Sequence, residues 1–159
     1  ENYEAPSILV GHSFGGAVVL GSAGKIKEVK GVATVAAPSK PCHVIKQFAD
    51  FEDEIEKNGQ ADVLLSGRPF VVKKQFLDDV YAQNQDETIG KMKTPLIVFH
   101  SPHDQTVKIK EAEHIYNYAK HPKSFVSLDP ADHLLSSSKD AAYVAENIAS
   151  WATRYIEKA

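Results

Sequence analysis

Ser7-Ile8-Leu9-Val10-Gly11-His12-Ser13-Phe14-Gly15-Gly16, residues 7–16, is the stretch from which the rest of the chain can be read. Ser7–Val10 is an apolar run too short for a helix, and it stops at a G-x-S-x-G pattern running from Gly11 to Gly15. Ala17–Ala23 then continues in small and branched residues suited to a buried helix, closed near Gly21–Gly24. A strand that turns abruptly into a helix, with serine at the turn, lifts the Ser13 hydroxyl above the sheet edge. Such a turn strains the serine backbone and tolerates only small neighbours. Glycine at 11 and 15 is therefore expected to avoid collisions across the turn, and Gly16 and Ala17 to let the helix approach the sheet.

Outward from this turn the pattern alternates. Gly31–Ala37 (GVATVAA) and Pro95–Ser101 (PLIVFHS) are continuous apolar runs, as expected of strands covered on both faces. Ser124–Leu128 predicts a last strand, Val107–Lys120 a helix, and Lys139–Lys158 a long terminal helix. Between Pro38 and Lys93 the character changes. Cys42–Asn58 carries Val44, Ile45, Phe48, Phe51 and Ile55 at helical spacing and stops at Gly59. Ala61–Leu65 and Pro69–Val72 flank Ser66-Gly67, a hairpin signal, and Lys73–Ala82 and Glu87–Met92 read as short helices. Strands alternating with helices predict an α/β fold with a mostly parallel sheet flanked by helices. The expected organisation is a single domain over 1–159 with an excursion at about 38–93.

Composition narrows the function. The 159 residues suit one domain, and 18 Lys+Arg against 21 Asp+Glu give a net charge of −3, which offers no basic field for nucleic acid. One cysteine, Cys42, excludes an internal disulfide framework and reads as an inert small residue. No apolar run reaches the roughly 18 residues that span a bilayer, so no membrane partner is expected. Phosphate-loop, dinucleotide and metal motifs are missing, so no cofactor is expected.

A serine that attacks a carbonyl needs a general base, and the base needs an orienting carboxylate. Chain order in an elbow fold puts the acid after a later strand and the histidine after the last one. Asp104 follows the PLIVFHS strand, in SPHDQTV, and His133 follows the SFVSL strand, in DPADHLL. Both fall at the carboxyl ends of predicted parallel strands, where such sheets place their chemistry. Other readings compete. Ser13 has the residue type of a helix N-cap, Asp104 could cap the helix starting near Thr106, and Asp129 and Asp132 are rival acids. His12 reads as shaping the elbow rather than acting as base. His100 and His103 beside Asp104 hint at a metal cluster, although strand-end packing or exposure explains them more simply. His43, His114 and His121 read as surface residues.

GHSFGG, SPHDQTV and DHLL, in that order, resemble the carboxyl-terminal half of an α/β-hydrolase. VATVAAPSKPCHV, LLSGRPFVVKKQFLDDV and HSPHDQTV…HPKSFVSLDPADHLL look like one bacterial subgroup. Its hydrolase domain is often fused to a downstream domain of the osmotically-inducible-protein-C (organic hydroperoxide reductase-like) type. The resemblance implies a partial α/β-hydrolase fold holding the last four strands, with the excursion as a cap. It implies Ser13 as nucleophile, His133 as base, Asp104 as acid and the Phe14 N–H as an oxyanion donor. His12, Arg68, Phe70, Phe76 and Leu77 would face substrate, Arg68 alternatively being an exposed turn residue. The substrate would be a small ester, thioester or amide, and the location cytoplasmic.

In that family four strands precede the elbow strand, and here only Glu1–Pro6 do. The expectation is a serine hydrolase fragment lacking part of the oxyanion hole, an amino-terminal half and possibly a fused redox domain. An uncovered first strand would also favour self-association. The alternative is a catalytically silent scaffold that docks a peroxidase-like domain.

Overall fold

The computed structural model describes residues 4–65 and 67–156. In chain order the elements are β1 (Ile8–His12), α1 (Phe14–Ser22), β2 (Gly31–Val35), α2 (Glu52–Asn58), β3 (Gln60–Leu65) and β4 (Arg68–Lys73). There follow α3 (Lys74–Ala82), α4 (Gln85–Lys91), β5 (Leu96–His100), α5 (Ile109–Tyr118), β6 (Lys123–Ser127) and α6 (Ser138–Ile156). They divide into two compact units, one of Glu1–Ser39 with Gln85–Ala159, the other of Lys40–Asn84.

The first unit is a parallel four-stranded sheet in the order β1-β2-β5-β6. β2 and β5 are buried at all five of their positions, as their mainly apolar runs imply for central strands, and the burial extends to the polar Thr34 and His100. Alternation along these strands supplies both faces of the sheet. Val32, Leu96 and Val98 join Leu20, Ile89, Ala112 and Ile115 in one core cluster. Ala33, Val35, Ile97 and Phe99 join Val144, Trp151 and Ala152 of α6 in the other. Each fully buried aliphatic or aromatic side chain contributes about 1.5–3 kcal/mol, so this two-sided core holds the sheet edge rigidly enough to carry a site. No helix among the described residues is long and apolar enough to cross a membrane.

The excursion is shorter than its composition predicts. The chain leaves the sheet unit after Ser39 and rejoins it at Gln85, so α4 belongs with the sheet. Buried Gln85 donates through Nε2 to the Ala17 carbonyl at 2.8 Å, fastening α4 to α1. A polar residue at a helix start gives no sequence signal of such burial.

In the second unit β3 and β4 form the expected antiparallel hairpin, with Leu65 opposite Arg68. The part of that expectation resting on Ser66 lies outside the described residues, as do the last two residues of the predicted Lys139–Lys158 helix. The predicted continuous helix over Cys42–Asn58 is broken. Pro41–Gln47 and Ala49–Phe51 are 3₁₀ turns, and only Glu52–Asn58 is α-helical, ending at Gly59 with φ 80°. Phe48 is the break: at φ −143° it leaves the helical region, while its side chain stays buried with its ring centroid 6.3 Å from that of Phe76. Ile45, Phe48 and Ile55 are buried as the apolar spacing implies, and the backbone between them takes a tighter path.

Candidate active site

Three loops at the carboxyl ends of β1, β5 and β6 converge on one cluster of side chains. The first is the turn between β1 and α1. Ser13 sits there at φ 52° and ψ −128°, a backbone conformation costly for a residue with a Cβ. Its N–H donates to the Val35 carbonyl at 2.9 Å, and its carbonyl accepts from Gly16 N–H at 2.8 Å. A Cβ on Gly11 would lie 2.3 Å from the Gly15 carbonyl oxygen, and one on Gly16 would lie 2.4 Å from Ala37 Cβ. Gly15 is different, because a Cβ there would meet nothing within 4 Å. Crowding thus demands glycine at 11 and 16, which corrects the expectation for 15. Phe14 is the first residue of α1, at the positive end of the helix dipole.

The second loop follows β5. Asp104 is buried, and its Oδ1 accepts from the backbone N–H groups of Thr106 and Val107 at 2.8 and 2.9 Å. That grip aims Oδ2 at His133 Nδ1, 2.7 Å away. On the far side of the ring, His133 Nε2 is 3.0 Å from Ser13 Oγ. A carboxylate can only accept, so Nδ1 carries the proton and Nε2 presents a lone pair to the serine hydroxyl. Ser13, His133 and Asp104 therefore form a continuous hydrogen-bonded chain.

The rival acids are engaged elsewhere. Asp129 pairs with His103 at 2.7 Å, both well exposed. Asp132 accepts from Ser136 N–H at 2.8 Å, and hydrogen bonds from Ser136 hold its carboxyl below the usual carboxylate range. His100, at the end of β5, is fully buried. Its Nε2–H donates to the Val107 carbonyl at 2.8 Å, and burial pushes its pKa down, which keeps the ring neutral. Among the described residues no group of three or more His, Cys, Asp or Glu is arranged to hold a metal ion.

The other sequence-derived residues fall as follows. His12 is exposed, and its Nε2 lies 2.7 Å from the His133 carbonyl oxygen. Arg68, Phe70 and Phe76 lie in the second unit: Arg68 is exposed at the start of β4, Phe70 is about half exposed, and Phe76 is half-buried near Phe48. Leu77 is fully buried, which removes it from any lining role; it shares the buried side of α3 with Val80. His114, read as a surface residue, is half-buried. Its Nε2 is 2.7 Å from Asp86 Oδ1, and its ring stacks on Tyr118. Sequence reasoning also missed the anchor made by Ser39, whose N–H and Oγ both donate to Glu111 Oε2.

Comparison with solved structures places this architecture. No family model matches the sequence, and no curated protein does. The esterase domain of a Rhodothermus marinus protein is 48% identical over 98% of this chain, with a TM-score of 0.81, and this chain spans 64% of its length. Mouse alpha/beta hydrolase domain-containing protein 10 is 18% identical with a TM-score of 0.71, covering 97% of this chain and 64% of its own. The alpha/beta hydrolase GrgF from Penicillium sp. sh18 is 18% identical with a TM-score of 0.69, covering 98% of this chain and 67% of its own. The chain has the α/β-hydrolase fold, and its structural neighbours are α/β-hydrolase domains.

Proposed function

We propose that this chain carries the nucleophile, base and acid of a serine hydrolase that cleaves small carboxylic esters. The observation that carries the reading is the pair of hydrogen bonds on His133, 3.0 Å to Ser13 Oγ and 2.7 Å to Asp104 Oδ2. The name of the Rhodothermus marinus neighbour, an esterase domain, points the same way.

In this mechanism His133 Nε2 takes the proton from Ser13 Oγ as the oxygen attacks the ester carbonyl. Asp104 keeps the proton of the ring on Nδ1 and stabilises the imidazolium that forms. Negative charge developing on the carbonyl oxygen is met by the Phe14 N–H at the start of α1, where the helix dipole adds to the stabilisation. His133 then hands its proton to the departing alkoxide, leaving an acyl group on Ser13. Water, deprotonated by the same nitrogen, attacks the acyl carbon; the acid leaves and Ser13 regains its proton.

The test is covalent labelling of the full-length protein by a fluorophosphonate, together with turnover of p-nitrophenyl acetate. Labelling and turnover that both vanish in Ser13→Ala support the assignment. Labelling that persists in that variant, or a wild type inert to both reagents, rejects it.

A further inference from the structure

We propose that His12 is a positioning residue for the base, holding His133 by its main chain; the inference rests on the serine-hydrolase reading above. A carbonyl oxygen can only accept, so the 2.7 Å contact from His12 Nε2 to the His133 carbonyl is an N–H donation from the His12 ring. The two rings lie 5.1 Å apart, tilted by 45°.

The segment carrying His133 is anchored on either side by buried Leu128 and Ala131 and by Leu135 packed on the same core. The contact from His12 adds a hold at the His133 carbonyl itself. The segment is irregular between the end of β6 and the start of α6 at Ser138. Its own bonds run from Ala131 N–H to the Leu128 carbonyl, from Leu135 N–H to the Asp132 carbonyl and from Ser136 N–H to Asp132 Oδ1. These shape the turn on either side of His133 without using its carbonyl. The exposed His103–Asp129 pair joins this loop to the one carrying Asp104, but solvent screens it.

His12 and Ser13 are consecutive. One dipeptide at the end of β1 therefore grips both ends of the same residue, Ser13 Oγ at the ring Nε2 and His12 at the main-chain oxygen. With both contacts made, movement of the 128–137 loop carries the ring with the strand end, and the distance from Oγ to Nε2 stays short. The bond thereby acts on the frequency of the reactive geometry rather than on substrate binding.

Two variants at this exposed position separate the bond from bulk. His12→Phe keeps a ring without a donor, and His12→Gln places an amide N–H near the position of the imidazole Nε2. The reading is the fluorophosphonate labelling rate and the kcat and KM for p-nitrophenyl acetate, with Ser13→Ala as the control. His12→Phe should slow labelling and kcat about tenfold, the rate equivalent of one hydrogen bond, with KM within about twofold. His12→Gln should recover to within about threefold of wild type. A His12→Phe variant as fast as wild type, or a His12→Gln variant as slow as His12→Phe, overturns the proposal. If wild type labels and Ser13→Ala does not, such a failure belongs to His12 alone. A wild type that never labels removes the catalytic reading and this inference with it.

Discussion

The N–H of Ser13 donates to the carbonyl of Val35 at 2.9 Å, so the residue with the reactive hydroxyl is pinned to the end of β2 while it turns out of β1. That bond, and the one its carbonyl accepts from Gly16, hold Ser13 at φ 52°. The strained backbone is maintained by the core beneath it, because β2 is buried along its whole length.

Relief of that strain is measurable. Ser13→Gly should be more stable than Ser13→Ala by about 1 kcal/mol. Glycine escapes a strain of roughly 1–3 kcal/mol and gives back about 0.5–1 kcal/mol in unfolded-chain entropy. Urea denaturation of the two variants, both without the hydroxyl, reads the difference; equal midpoints and slopes would contradict it.

The glycines of the turn should respond unequally. A Cβ on Gly11 collides with the Gly15 backbone, so Gly11→Ala should cost about 1–3 kcal/mol. Gly15→Ala adds a methyl in open space within the first turn of α1 and should be neutral or stabilising by up to about 1 kcal/mol. Thermal melts of the two variants give the comparison, and a reversed order would refute this account of the crowding.

Asp104→Asn separates tautomer control from folding. The retained oxygen still accepts from Thr106 and Val107, so stability should change little. The amide now donates toward Nδ1, which moves the ring proton to Nε2 and removes the lone pair facing Ser13. Ester turnover should fall by roughly 10³–10⁴-fold. Circular dichroism and steady-state kinetics on the same sample check both halves.

His100 predicts an acid-side loss of stability. Burial lowers its pKa from 6.5, opposed by the Val107 hydrogen bond and by Asp104. Below about pH 6.5 the unfolded chain binds a proton that the folded chain does not. Stability from this residue is therefore intact above that pH and declines as pH falls toward the folded value. His100→Gln keeps a donor for Val107 and cannot titrate, so its stability should fall less between pH 7.5 and 5.5. Chemical denaturation at the two pH values decides it.

Most of the architecture was legible because it rests on short-range chemistry. The runs Gly31–Val35 and Leu96–Phe99 are apolar but for Thr34, as two-sided burial of a central strand requires. The order of Ser13, Asp104 and His133 was legible for a related reason, since parallel strands send all their outgoing loops to one edge. What stayed hidden depends on neighbours distant in sequence. The spacing over Cys42–Asn58 is helical and Ile45, Phe48 and Ile55 are buried accordingly, yet the backbone runs in 3₁₀ turns up to Phe51 and leaves the helical region at Phe48. The donation from His12 to the His133 carbonyl joins a side chain to a backbone atom 121 positions away, and main-chain acceptors carry no sequence signature. Close approach at Gly11 and Gly16 was legible from the motif, whereas Gly15 looked equally constrained and only the packing shows open space there.

The junctions of the Lys40–Asn84 insertion are fixed at their roots. Ser39 is buried and fastened to Glu111, and Gln85 is buried and fastened to Ala17, so both stumps are set in the sheet unit itself. A change in the length of the stretch between those two anchored residues is therefore expected to leave the register of the strands that carry Ser13, Asp104 and His133 unaltered.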